Sequence, residues 1–249
     1  MKKFFKFFVV AQFIGLCCLL NQATTYAGEP GTTGANFLKI GAGARNIAMG
    51  ESSVAIADDV NSVYWNPAGL TRLNCQEATF MYNKWFEEID QQFFGYAYPA
   101  QKIGTFGLGV YRVGMESFQG YDANGIKTEK VSAGDMAAGL SYARKFASKS
   151  GANTYNLGIT AKWIQEKLDD ATASTFAGDF GFQYGGFPFF GEWSNGLTFG
   201  AAITNFGGKM KFDSEDANLP QTLKAGFGYT RKILGDPLTV GVDVFSPND

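Results

Sequence analysis

The chain has 249 residues, 21 Lys and Arg against 23 Asp and Glu, and no histidine. Without imidazole there is no His-based nucleophilic triad, HExxH zinc site or imidazole acid–base chemistry. The charge is nearly balanced and spread along the chain, which leaves no basic footprint for nucleic acid.

Residues 1–27 combine a basic start (Lys2, Lys3, Lys6), an apolar run from Phe7 to Leu20 broken by Gln12, and Thr25-Tyr26-Ala27 before Gly28. This is the pattern of a cleaved secretory signal peptide, too short for a membrane span. Cys17-Cys18 raises a lipoprotein signal as the alternative, but Leu16 stands where a small residue should precede the lipidated cysteine. Cleavage removes three lysines and no acid, leaving 18 bases against 23 acids and a net charge of −5. It also leaves Cys75 as the sole cysteine, so no intrachain disulfide forms. A small apolar filler is the expectation for Cys75, with a reactive thiol as the alternative.

Residues 28–72 form short apolar pieces among glycines: Phe37-Leu38-Lys39-Ile40, Ile47-Ala48-Met49 and Val54-Ala55-Ile56. Gly41-Ala42-Gly43 lacks the rest of a phosphate loop and reads as backbone freedom for a tight fold. Asp58 or Asp59 is placed to cap a helical turn at 60–63, with a cation site as the alternative. Tyr64 and Trp65 close that turn. Asn66 precedes a proline, which pushes it out of the helical region. Pro67 suits a first helical position, so Pro67-Ala68-Gly69-Leu70 starts a second short turn capped by Asn66. Asn66-Pro67 is thus a corner between two short helices, and Val63, Trp65 and Leu70 need a surface to pack against.

From residue 73 to 249 the pattern changes to period two, with 32 Gly, 24 Phe and 11 Tyr in the whole chain. In 155–164, Tyr155, Leu157, Ile159, Ala161 and Trp163 oppose Asn156, Gly158, Thr160 and Lys162. In 176–184, Phe176, Phe180, Phe182 and Tyr184 oppose Ala177, Asp179, Gly181 and Gln183. Segments 197–204, 222–230 and 238–244 alternate as cleanly, 104–112 and 136–146 less so, and aromatic runs near 77–85 and 92–99 bring the count to nine candidate strands. Many reach about ten residues, the length that spans a bilayer when tilted, and aromatic residues gather near their ends as in an interfacial girdle. The fold class expected is all-β, a transmembrane antiparallel β-barrel with a short helical N-terminal hatch. A soluble sandwich is the alternative, since alternation alone says only that each strand has an apolar and a polar face. Connections 185–196 and 205–220 are long, while 146–152 and 232–236 are short, suggesting the long outer loops and short periplasmic turns of such barrels. An odd strand count and a turn-like ending at Phe245-Ser246-Pro247-Asn248-Asp249 lead to the expectation of a C-terminally truncated piece of a longer barrel.

The remaining candidates are surface features. Glu87, Glu88 and Asp90 read as a solvated turn rather than paired catalytic carboxylates. Asp213, Glu215 and Asp216 lack calcium-loop spacing. Phe187, Phe189, Phe190 and Trp193 make loop 185–196 a candidate contact for a partner or a lipid, with an aromatic girdle in the headgroups as the alternative. No enzyme constellation, cofactor or metal site is expected.

The segment GARNIAMGESSVAIADDVNSVYWNPAGL resembles the N-terminal signature of the PorV/PorQ proteins, within the FadL-like outer-membrane barrel superfamily. The match lies at Gly43-Ala44-Arg45, Met49-Gly50, Ala57-Asp58-Asp59 and Tyr64-Trp65-Asn66-Pro67-Ala68-Gly69-Leu70. The resemblance implies a fourteen-stranded barrel in the outer membrane of a Gram-negative bacterium, its lumen plugged by the N-terminal hatch. It implies a shuttle or scaffold of type IX secretion that binds the C-terminal signal domains of cargo proteins and works with other secretion components. The alternative is a FadL-like channel for hydrophobic compounds such as long-chain fatty acids, with a ligand in the lumen.

Overall fold

A computed structural model describes residues 33–85, 88–147, 153–187, 192–212 and 215–248, without the side chains of Glu192, Trp193 and Glu215. The leader expected over 1–27 lies outside these residues.

The nine period-two segments form one antiparallel sheet. Its strands are β1 (Glu77–Lys84), β2 (Ile89–Pro99), β3 (Thr105–Met115), β6 (Ala133–Ala147), β7 (Thr154–Leu168), β8 (Ala171–Gly185), β9 (Leu197–Gly207), β12 (Thr222–Ile233) and β13 (Asp236–Pro247), adjacent in chain order throughout. The three central strands run to 15 residues each, far beyond the five or six usual in globular proteins. Two short hairpins escape the sequence pattern: β4 (Phe118–Tyr121) with β5 (Lys127–Val131), and β10 (Met210–Phe212) with β11 (Glu215–Ala217). Each sits in a connection of the main sheet.

The meander gives the sheet two ends. The chain enters β1 at the near end, where β2 leads to β3, β6 to β7, β8 to β9 and β12 to β13; β1 leads to β2, β3 to β6, β7 to β8 and β9 to β12 at the far end. Loop length does not sort cleanly by end, contrary to the sequence expectation. β8 and β9, eleven residues apart in sequence, are joined at the near end as are β12 and β13, and the two-residue 169–170 turn is at the far end.

The outer face of the sheet carries many exposed apolar side chains, while the inner face buries polar residues beside apolar ones such as Phe93, Tyr111 and Ile164. Asn156, Thr160, Thr175, Asp179 and Gln183 are buried on the inner face of β7 and β8, whereas Phe176 is 74% exposed and Leu140 69% exposed on the outer face. Phe80, Phe94, Ile159, Leu223 and the β13 row Leu238, Val240, Val242 and Val244 are exposed with them. An aromatic row crosses the outer face towards the near end. Tyr98 is registered on Phe106, and Phe106 on Tyr142. Farther along, Tyr155 pairs with Tyr184, Tyr184 with Phe199, and Phe199 with Phe227.

The inner face is wrapped around residues 33–73. These include a 3₁₀ turn at Asn36–Lys39, helices α1 (Ala44–Ala48) and α2 (Ser62–Trp65), and a 3₁₀ turn at Pro67–Arg72. Val60 approaches Gly95, Val63 approaches Gly107, Pro67 lies on Gly158, Asn66 on Gly181, Val54 on Gly200, Ile56 on Gly228 and Ser52 on Gly241. Laid flat, nine strands would be about 38 Å wide, so one short segment reaches all of them only because the sheet curves round it. Among the described residues, no helix is long and apolar enough to cross a membrane.

Candidate functional site: the plug and its seal

Asn66 has an extended backbone (φ −160°), as the following proline requires, and its side chain accepts a hydrogen bond from Ala68 N at 3.1 Å. The corner expected at Asn66-Pro67 is therefore present, with α2 before it and the 3₁₀ turn after it. Its other half comes from the sheet. Asn66 Nδ2 donates to Val54 O at 2.6 Å and to Phe182 O of β8 at 3.2 Å. Gln183 Nε2 donates to Val54 O at 3.2 Å and Ala57 O at 3.0 Å. Val54 N donates to Asp243 Oδ2 of β13 at 2.8 Å. Asn66 and Gln183 are fully buried, so these bonds satisfy groups that no solvent reaches.

The other residues of the motif each have a place. Val63, Trp65 and Leu70 are buried against the inner face. Trp65 Nε1 donates to Ala42 O at 2.7 Å, and the Tyr64 hydroxyl reaches Leu38 O and Ile40 O at 2.8 and 2.9 Å. Burial pushes the Tyr64 phenol well above its ordinary range, with the nearby Tyr111 and Glu51 adding to it. Gly69 is required because a Cβ there would lie 2.5 Å from Ser62 Oγ and 2.6 Å from Ala57 O. Pro67 and Ala68 rest on Gly158, where any β-carbon would overlap their backbone. The earlier glycines act as read from the sequence: Gly41 faces the Trp65 ring and Gly43 takes φ +86°.

A second set of bonds holds the far-end half of the plug. Gln91 Nε2 donates to Gly41 O and to the Tyr111 hydroxyl, both at 2.7 Å, and Tyr111 in turn donates to Ile40 O at 2.7 Å. Both acids pair with Arg45, Asp59 at 3.3 Å, and Asp59 has a second role. Asp59 Oδ1 accepts from Asn61 N at 2.9 Å at the entry to α2, while Asp58 pairs with Arg45 at 2.5 Å. That hydrogen bond raises the Arg45 pKa above its ordinary value.

Between plug and wall lies a cavity of about 290 Å³, lined by Tyr64, Trp65, Phe93 and Tyr111 together with Lys162 and Lys224. Lys162 is paired with Asp179 at 2.8 Å and hydrogen-bonded to Asn205. Lys224 Nζ stands 4.7 Å from the centre of the Trp65 ring, a cation–π contact.

The aromatic loop is only partly described. The Phe187 ring packs edge-on against Tyr184 with centroids 4.8 Å apart, and Phe187 O accepts from Ser194 Oγ at 2.6 Å. This joins Phe187 to the near-end aromatic row. Phe189, Phe190 and the side chain of Trp193 lie outside the described residues, as do Glu87 and Asp213. Asp90 accepts from the Tyr82 hydroxyl at 2.7 Å, and Asp216 stands 4.0 Å from Lys209. Cys75 is exposed, which corrects the expectation of an apolar filler: it lies in the link between the plug and β1, where Asn74 and Gln76 are exposed beside it. Among the described residues, no three His, Cys, Asp or Glu side chains are grouped to hold a metal ion.

Gln91, Gln183 and Asp243 are the sealing residues that sequence reasoning left undistinguished. Their signal was present but generic, a long polar side chain on the polar face of an alternating strand. No protein-family model and no curated protein matches the chain.

Proposed function

We propose that this protein is a plugged outer-membrane β-barrel of the PorV/PorQ type, exported by its signal peptide. In this reading it is a shuttle or scaffold in type IX protein secretion that binds the C-terminal signal domains of cargo. The observation that carries the membrane part is the outer face of the sheet: a broad set of exposed apolar side chains, with Asn, Thr, Asp and Gln buried inside among the residues that pack on the plug. A water-filled environment gives no reason to expose Phe176, Leu140 and Phe80 together, whereas lipid does. The secretion part rests on the motif resemblance. The residues that carry it, Tyr64 to Leu70, form the seal of the plug. A plug bonded this densely suits a scaffold that works from its outer loops more than a gate that opens at every passage.

The cavity beside Trp65 favours one other reading, a channel for hydrophobic compounds. A mild-detergent pull-down of the tagged protein from its own host's outer membrane separates the two. Recovery of secreted proteins sharing a C-terminal domain, or of other secretion subunits, supports the scaffold. Recovery of the protein alone with bound acyl lipid, together with altered hydrophobic uptake in Trp65→Ala, sinks it in favour of the channel.

A further inference from the structure

The outer face finishes differently at the two ends of the sheet. Its middle is apolar, with Leu140, Ile159, Phe176 and the Leu238–Val244 row exposed there. At the far end the outer positions that follow mix their signs, with Asp90, Arg112 and Lys167. At the near end the order is apolar, aromatic, then basic. Arg144 follows Tyr142 by two residues on β6, and Arg231 follows Tyr229 by two on β12, both on the outer parity of their strands. Lys102 joins them in the turn 100–104, which the Tyr142 hydroxyl ties down by donating to Ile103 O at 2.6 Å. Lys145 and Lys232 are the neighbouring cations, and all of these are exposed.

The protein supplies these cations with no anions of its own. Among the described side chains of the strand ends and turns at the near end, the acids are Glu77 and Asp236. Glu77 faces inward and accepts from Val60 N of the plug at 3.0 Å. Asp236 lies across from Ile233 at the tip of the β12–β13 hairpin, farther out than Arg231, which is registered on Leu238. None of the near-end cations forms an ion pair with a described residue. The partner of Arg144 is the Phe146 ring, whose centre is 5.7 Å from the guanidinium carbon. That contact orients the charge without neutralising it.

We infer that this rim binds the phosphate groups of anionic lipids in the leaflet at the near end. The inference rests on the outer-membrane reading and adds to it which lipids that leaflet presents to the protein. The order of the side chains matches the layers of a bilayer. Tyr142 and Tyr229 stand where aromatic rings meet headgroups. Two further residues of strand carry Arg144 and Arg231 about 7 Å outward, into a headgroup layer about 5–7 Å deep. There Arg and Lys lay their stems along apolar surface and hold their charge at the level of the phosphates. A protein docking end-on would meet the turns and the inner parity, whereas Arg144 and Arg231 continue the apolar rows of the outer face. Each cation close to an anionic surface is worth about fivefold in association.

The test reads lipid selectivity by electron spin resonance on the protein reconstituted in phosphatidylcholine bilayers. Trace spin-labelled phosphatidylglycerol is compared with spin-labelled phosphatidylcholine for the fraction immobilised at the protein surface. The inference predicts a preference for the phosphatidylglycerol label of about twofold or more at low salt. The triple variant Lys102→Gln, Arg144→Gln, Arg231→Gln should lose most of it. The double variant Lys127→Gln, Lys130→Gln, in the exposed far-end hairpin β4–β5, should keep it. Sodium chloride and sodium phosphate at equal ionic strength should weaken the preference alike. Equal immobilisation of the two labels, an unchanged preference in the triple variant, or an equal loss in the hairpin variant would overturn the rim. A loss specific to phosphate would overturn it in favour of a soluble phosphate. An unchanged lipid preference with loss of a co-purifying protein in the triple variant would overturn it in favour of a protein partner. All substituted side chains are exposed, so the variants leave the fold intact. If neither label is immobilised, the membrane reading fails and the rim with it; if both are immobilised equally, the rim alone is wrong.

Discussion

Replacing Asn66 separates a local helix cap from a seal between plug and wall. Asn66→Ala removes the acceptor for Ala68 N and the donor to Val54 O and Phe182 O. Val54 O keeps Gln183 as a partner, so the main losses are a buried Ala68 N–H left unpaired and two donated bonds. At about 0.5–1.5 kcal/mol for each bond, with the unpaired donor at the upper end, the cost is about 2–4 kcal/mol. Asn66→Asp is the sharper variant. As a cap, Asp equals Asn; here its second oxygen would face two carbonyl oxygens in a buried site, which costs more than Ala does. The assay is amide hydrogen exchange over residues 53–70 in the folded, detergent-solubilised protein. Asn66→Ala should accelerate exchange about 30- to 700-fold, since each 1.4 kcal/mol is a factor of ten, and Asn66→Asp should exceed it. Wild-type protection in Asn66→Asp would refute the seal and reduce Asn66 to a cap.

Three further outcomes follow from the same contacts. Gly158→Ala should loosen the plug by about 1–3 kcal/mol through overlap with Pro67 and Ala68, while Gly134→Ala, with open space around it, should not; the same exchange measurement reads both. Raising pH above 10 should weaken the plug, because the unfolded chain ionises Tyr64 near its ordinary pKa of about 10 while the folded site resists. This stability is complete below the unfolded pKa and is lost as pH climbs through the higher folded one, so Tyr64→Phe should show a smaller alkaline loss of protection. Leu140→Arg, at the middle of β6 on the outer face, should cost about 2–4 kcal/mol of folding into bilayers and little in a water-facing sheet.

The long strands were legible because period-two alternation persists over eight residues or more, as in Tyr155–Trp163, and neither face has to be known to see it. Strands β4, β5, β10 and β11 were not, because three to five residues such as Met210–Phe212 hold too few alternations to stand out from a loop. The Asn66-Pro67 corner could be read because proline chemistry acts on its immediate neighbours. The partners of that corner could not. Asn66 meets Phe182 across 116 positions and Val54 meets Asp243 across 189. Nothing near Gln183 or Asp243 separates a residue bonded to the plug from one facing a wet lumen. Cys75 was misjudged for a related reason: its type favours burial, but it sits in the exposed link 74–76 before β1.

The central claim is that the outer face of this sheet meets lipid. The most direct measurement places a nitroxide label at residue 140, 159 or 242 in a Cys75→Ser background and reconstitutes the protein in bilayers. Collision with dissolved oxygen is then compared with collision with a water-soluble nickel complex. The account predicts that oxygen, which concentrates in the hydrocarbon, relaxes all three labels more strongly. Stronger relaxation by the nickel complex at these positions would place the apolar face in water and contradict it.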